Sequence, residues 1–494
     1  MEMWLLLGIL GGFTYFIVKR SVAKITTTPI WLIWLVLMTP ALIWTGWTLI
    51  YGEDTPMPAF LLIGPFVICP FLYWWLVQMG RVTPQESPPS PAETANLVLE
   101  NIDNPAPKSD LKPITAEEEK SLRDCFPWGI YYLQNIDYRP QAILCRGKLR
   151  AVPEEAYQVI KNNVEKVFGD RFLLLFQESF QGQPFFALVA NPWQQKTETI
   201  ETEKVTRPFL ALGLLLLTIL TTTVVGAGLS GITTQQLENN SSLLLQGLPY
   251  SLGLIAILGL HEFSHYFTAV KYKIKTTLPY FIPIPFFLGT FGAFIQMRSP
   301  VPTRKALFDV AVAGPLGGII IAIPLLFWGL YLSEIVPLTN QSSLLNFQAL
   351  NPQFSFLLSI LAKLALGSNL IAGKAIHLHP LAVAGYVGII VTALNLMPVG
   401  QLDGGHIVHA MYGQKTAIII GQLTRLFMFI LALVQPDFLL WAIILLLMPV
   451  SDQPALNDVT ELDNKRDLLG LFSLALLLSI LLPLPEAVAR WWGM

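Results

Sequence analysis

The feature that most limits what this chain can be is a His-Glu-x-x-His sequence, His261-Glu262-Phe263-Ser264-His265, inside an apolar run that extends from about residue 247 to 270. Ionisable side chains at membrane depth cost on the order of 2.5–3.5 kcal/mol each, so a chain that keeps them there keeps them for a function. On a helix, residues four apart stack on one face, which lets the imidazoles of His261 and His265 share one divalent ion, most readily zinc. Glu262, beside them, can take a proton from a water that the ion has acidified. Two histidines make half of a tetrahedral site. A catalytic zinc needs a third protein ligand and an open position, so a carboxylate or imidazole at matching depth must come from elsewhere in the chain.

The apolar run has company. Of the 494 residues, 53% are hydrophobic and 13% charged, with a mean hydropathy of +0.55, which predicts a multi-pass α-helical membrane protein with the lipid bilayer as a partner. A net charge of −2, with Lys and Arg scattered at the ends of apolar runs, leaves no basic field for nucleic acid. Cys69, Cys125 and Cys145 have no C-x-x-C spacing and cannot form a complete set of disulfides, so they are expected to be packing residues.

Apolar runs at about 3–18, 30–50 and 57–79 predict a three-span N-terminal anchor, residues 1–80. The first run lacks a Ser/Arg-rich leader and a small-x-small cleavage site, and is expected to be a retained span. Lys19, Arg20 and Lys24 follow it, whereas residues 51–55 carry no Lys or Arg, so the positive-inside rule puts residue 81 in the cytoplasm. Residues 81–116 are rich in Pro and Ser, a composition that predicts a disordered linker. Residues 117–207 read as a small cytoplasmic α+β domain and its charged leash. Apolar runs at 129–136, 142–147, 171–177 and 184–190 alternate with an amphipathic helix at 153–168, which Pro153 opens and Gly169 closes. Nothing in this domain suggests catalysis.

Residues 208–450 are the expected catalytic membrane core. Spans at about 208–230, 247–270, 306–331 and 380–400, runs at 416–434 and 437–450, and a C-terminal span within 451–494 bring the total to about nine or ten. Lys271, Lys273 and Lys275 put the end of the metal-bearing span at the cytoplasmic face. The Pro- and Gly-rich stretch 276–305 predicts a re-entrant hairpin beside the metal, and Ala313, Gly314, Gly317 and Gly318 predict a close helix approach. His377 and His379 fall on the opposite side from the motif. Asn395-Leu396-Met397-Pro398, then Gly400 and Leu402-Asp403-Gly404-Gly405-His406, break a helix at the depth of the first motif and let Asp403 turn to the metal as the missing carboxylate. His406 and His409 read as satisfied helix-end histidines, with roles supporting or replacing a ligand as the alternative.

The two motifs together resemble the site-2 protease family of intramembrane zinc metalloproteases. The soluble domain behind three anchor spans, the hairpin at 289–293 and the segment 308–318 are similar to its plant and cyanobacterial branch, the ethylene-dependent gravitropism-deficient and yellow-green proteins. The resemblance implies one zinc per chain held by His261, His265 and Asp403, Glu262 as catalytic base, and hydrolysis of a peptide bond in a transmembrane protein substrate. Plastid members carry transit peptides, so the N-terminus here leads us to expect a cyanobacterial chain in a plasma or thylakoid membrane, with its active site towards the cytoplasm. A helical substrate must unwind before it can be cut. The glycine-punctuated stretch Gly289-Thr290-Phe291-Gly292-Ala293 is therefore predicted as an edge to which extended substrate adds, and Asn395 as a donor to the substrate backbone or the developing oxyanion. Two rivals are weaker. A CAAX-type membrane zincin takes a downstream glutamate as third ligand, which no span offers, and a divalent-metal transporter needs no base beside His261 and often shows repeated halves. Nothing in the sequence bears on oligomeric state.

Overall fold

The computed structural model describes residues 28–52, 58–79, 114–139, 142–179, 182–191, 207–284, 288–338, 346–434 and 438–492, with a few single positions before residue 28. Most of the expected first span, and the linker up to residue 113, lie outside the described residues. The chain divides into two compact units, 1–89 and 90–494. In the first, helices α1 (Ile30–Tyr51) and α2 (Ala59–Met79) pack together, and Thr28 Oγ1 donates to the Leu76 carbonyl at 2.7 Å.

In the second unit, the first described helix begins one residue before 117. Thr115 and Glu118 exchange the two hydrogen bonds of a capping box and start helix α3 (Ala116–Asp124). Strands β1 (Tyr131–Arg139), β2 (Ala142–Leu149), β3 (Phe172–Glu178) and β4 (Pro184–Ala190) form an antiparallel sheet in the order β1-β2-β4-β3. Helix α4 (Pro153–Phe168) lays Tyr157, Ile160 and Val164 into the core at the spacing its periodicity dictates. The exposed edge of β3 is closed by a distant part of the chain. Phe176 N–H donates to the Leu456 carbonyl at 2.7 Å, and Asp458 N–H donates to the Phe176 carbonyl at 2.9 Å. Leu456 and Val459 also join the apolar core of this domain. Residues 451–459, read from the sequence only as the approach to a C-terminal span, thus complete the soluble domain.

The remainder is helical: α5 (Pro208–Leu229), α6 (Leu248–Lys271), α7 (Arg304–Tyr331), α8 (Phe356–Leu366), α9 (Pro380–Leu396), α10 (Asp403–Val434), α11 (Leu439–Leu447), α12 (Asn464–Leu481) and α13 (Glu486–Trp492). Helix α7 lies between α6 and α9, and their buried apolar side chains make one continuous core. Between α6 and α7 the chain forms a two-stranded antiparallel hairpin, β5 (Tyr280–Pro283) and β6 (Thr290–Phe294). A second, β7 (Glu334–Pro337) and β8 (Lys374–His377), ties the loop that follows α7.

Among the described residues, five helices are long and apolar enough to cross a membrane: α1, α5, α6 with its preceding turn, α7 and α10. A sixth appears if α12 and α13, bent by 72° at their break, count as one. The nine or ten apolar runs do not map one to one onto such helices. The expected 380–400 span stops at Leu396 after 17 residues. The expected 416–434 span is the second part of α10, which begins at Asp403 and bends at Gly413, where φ is 80°. Helices α8 and α11, with 11 and 9 residues, are too short to cross alone.

Candidate active site

His261 and His265 stand one turn apart on the buried face of α6, with their Nε2 atoms 3.2 Å apart. Asp403 opens α10, and its Oδ2 lies 3.4 Å from His261 Nε2 and 3.3 Å from His265 Nε2. A tetrahedral zinc with bonds of about 2.0–2.1 Å needs its ligand atoms about 3.3 Å apart, so this near-equilateral triangle of two nitrogens and one oxygen fits the ion. Among the described residues it is the one cluster of His, Cys, Asp or Glu with the geometry to hold a metal. The triangle opens on a cavity of about 470 Å³ that Glu262 and Asn395 also line, which leaves room at a fourth position for water or substrate.

The elements around the triangle orient it. His265 Nδ1 is 2.7 Å from the Val310 carbonyl on α7, a contact that puts the proton on Nδ1 and frees Nε2 for a metal. Helix α7 can come this close because residue 314 is glycine: a Cβ there would sit 2.0 Å from His265 Nε2. The sequence marked Gly314, Gly317 and Gly318 as helix-packing residues. What they pack against is the face of α6 that carries His261 and His265, with Gly317 against Ser264 and Gly318 against His261. Asn395 Nδ2 lies 3.3 Å from His261 Nε2, beside the position the metal would take. The Glu262 carboxyl is buried and faces the backbone at Ile295, just beyond β6.

His261, Glu262, His265, Asp403, Asn395 and Ala293 therefore come together around one cavity, whereas Gly289, Thr290, Phe291 and Gly292 do not line it. Gly289 is pressed against α5, where Thr221 Oγ1 donates to its carbonyl at 2.7 Å. The alternation expected along 289–293 is also interrupted. Ala293 pairs with Phe281 and Thr290 with Pro283, so Phe291 and Gly292 together oppose Ile282 in a bulge. Gly292 takes a φ of 104° there, and Phe291 is 76% exposed. Strand β6 pairs only with β5, so among the described residues its other edge has no strand partner.

Neither loop histidine reaches the site. His379 Nδ1 accepts the Leu381 N–H at 3.2 Å as the cap of α9, and His377 lies on β8, 4.0 Å from Glu334. His406 lines the cavity and its Nδ1 is 2.8 Å from Asp452 Oδ1. His409, fully buried, has Nδ1 at 2.7 Å from Asp452 Oδ2 and Nε2 at 3.1 Å from Asp458 Oδ2. Burial pushes the Asp452 carboxyl up, but His406 and His409 beside it outweigh burial and hold it below the usual carboxylate range. Asp452, Asp458 and the Val310 carbonyl were missed in the sequence, since they lie tens of residues from the groups they hold and follow no period.

Residues 249–434 match the model of Peptidase family M50. Among curated proteins, the chain is similar to the probable zinc metalloprotease EGY1, chloroplastic, of Arabidopsis thaliana, with 34% identity over 247 residues covering 50% of this chain and 44% of that one. It is also similar to the probable zinc metalloprotease EGY2, chloroplastic, of Oryza sativa subsp. indica, with 30% identity over 363 residues covering 73% and 65%. The chain thus spans 44% and 65% of the length of these two relatives. No solved structure matches it. The resemblance to site-2 proteases and to their plant and cyanobacterial branch is borne out.

Proposed function

We propose, from the premise that residues 249–434 form a peptidase family M50 core, that the chain is an intramembrane zinc metalloprotease cutting transmembrane protein substrates. In this reading His261, His265 and Asp403 hold the ion, and Glu262 is the general base. The observation that carries it is the 3.2–3.4 Å triangle of donor atoms with Glu262 on the same cavity wall. The names of the relatives, zinc metalloproteases, support it.

A zinc ion bound there supplies Lewis acidity and lowers the pKa of a water at its open position. Glu262 accepts a proton from the attacking water and returns it to the departing backbone nitrogen. Asn395 Nδ2, on the same wall, donates to the scissile carbonyl oxygen as charge develops on it. Helix α7, through Val310 and Gly314, keeps the His265 ring aimed at the ion. Substrate unwound from its helix adds along the free edge of β6. The divalent-metal transporter and the CAAX-type zincin are not favoured, because both sit badly with an M50 core whose third donor is an aspartate.

The finer count of nine or ten spans rests on the apolar runs of α2 and α9 and those nearer the termini. Lys271, Lys273 and Lys275 after α6 support a cytoplasmic-side site in a plasma or thylakoid membrane. Labelling of a cysteine at residue 235 only after permeabilisation would reverse that orientation. The central test is Glu262→Gln, which is expected to abolish hydrolysis of a membrane-spanning substrate while the purified protein keeps about one zinc. Loss of the zinc would show that the carboxylate is a ligand and overturn its role as base.

A further inference from the structure

Asp403 begins a half-helix with little local support. A turn over 397–402 precedes it, and the bend at Gly413, where φ is 80°, ends it after about three turns. The aim of Asp403 therefore depends on what grips this half-helix from outside. His409, roughly two turns on, is hydrogen-bonded through Nδ1 to Asp452 at 2.7 Å and through Nε2 to Asp458 at 3.1 Å, and His406, one turn on, sets its Nδ1 2.8 Å from Asp452 Oδ1 as an ion-pair contact without hydrogen-bond alignment. At its far end, the buried Arg304 of α7 donates through Nε to the Ala410 carbonyl at 2.9 Å, where a helix terminus favours a cation.

Asp452 and Asp458 belong to a segment that also holds the soluble domain. Leu456 N–H donates to the Val301 carbonyl at 2.9 Å and Asn457 N–H to the Pro302 carbonyl at 3.1 Å, on the side of the membrane core. On the other side the same segment completes the edge of β3 through Phe176, and Gln177 Nε2 donates to the Ala455 carbonyl at 2.7 Å. Asn457 forms isolated parallel β-bridges with Phe176 on one side and with Thr303 on the other, so the segment joins the two parts through backbone pairing within one chain.

We infer that the buried bridge of His406, Asp452, His409 and Asp458 positions Asp403 for metal binding, and that the strand-like segment 455–458 makes docking of the soluble domain a condition for a competent site. The inference rests on the reading of Asp403 as a zinc ligand. These four are positioning residues, since they act on the ion through the half-helix. Outer partners of this kind typically change metal affinity by about 10–100-fold.

The test uses the full chain in detergent with Glu262→Gln as background, so that zinc affinity is read by chelator competition without turnover. Asp452→Ala, which releases both histidines, is expected to weaken zinc binding about tenfold or more. Asp452→Asn, which retains an acceptor of the same shape, should recover part of that loss. Gln177→Ala, at the soluble-domain end and remote from the cavity, should weaken zinc in the same direction by a smaller factor. With Glu262 intact, kcat should fall while KM holds. Unchanged zinc affinity in folded Asp452→Ala overturns the proposal. If that variant does not fold, unchanged affinity in both Asp452→Asn and Gln177→Ala overturns it. A wild-type chain that binds zinc but cuts nothing would fail the functional reading alone, whereas one that binds no zinc would overturn both.

Discussion

Helices α6 and α10 supply the same site by opposite means. In α6 the two histidines sit on one unbroken helix of 24 residues, so the helical repeat alone fixes their separation and common direction. In α10 the aspartate is the first residue after a turn, and the helix bends ten residues later. Its place is set by groups on α7 and on the segment around 452–458. The contrast separates ligand identity from ligand placement. Identity can be written in a five-residue motif, while placement of the proposed third ligand is a property of the assembled chain.

The largest expected effects fall on the ligands. His265→Ala is expected to lose zinc by more than the about 10–100-fold typical of an outer partner, and cleavage with it, because an ion held by three protein donors is left with two. Asp403→Ala should match it, as measured by metal content after dialysis. If Asp403→Ala keeps its zinc, the comparison breaks, and the third-donor role moves to a neighbour such as His406, which shares the cavity. Next in size is Gly314→Ala. Its new Cβ would lie 2.0 Å from His265 Nε2, so either the ring or α7 must shift, and zinc affinity is expected to fall about tenfold. Unchanged affinity would show that α6 does not depend on α7 for its geometry, which sharpens the contrast with α10.

What could be read in the sequence follows the same division. The metal motif and helix α4 were legible through the 3.6-residue period that one face must satisfy, and the strands of the soluble sheet through short apolar runs, which β3 and β4 bury almost continuously. Asp403 was legible through Pro398 and the glycines beside it, which announce a break at the right depth. The span count was less legible, since an apolar run does not say whether it meets lipid or protein. Helix α9 buries Ala382, Val383, Ala384, Tyr386 and Val387 in succession, which makes it a core helix all round. The segment 455–459 was not legible, because it is too short to show a period and its two apolar anchors, Leu456 and Val459, gain their meaning from β3, nearly three hundred residues earlier.

The smallest effect on zinc, and the one that isolates substrate docking from metal binding, is expected in the hairpin. Gly292 holds a φ of 104°, which proline cannot adopt, and its N–H donates to Thr290 Oγ1 at 3.0 Å. Gly292→Pro therefore disrupts the bulge that turns Phe291 outward and leaves the edge of β6 uncovered. The metal triangle is held by α6, α7 and α10 and takes no group from the bulge, so zinc content should stay normal. An unwound substrate loses the internal hydrogen bonds of its helix and needs replacements from an exposed backbone edge. Cleavage of a membrane-spanning substrate should thus fall steeply, by about tenfold or more if several edge hydrogen bonds of about 1 kcal/mol each are lost. A short soluble peptide, already unwound and able to enter the cavity without the edge, should be cut at nearly the wild-type rate. Equal loss on both substrates would assign the hairpin to shaping the cavity, and no loss on either would leave α6 and α10 as the whole of the machinery.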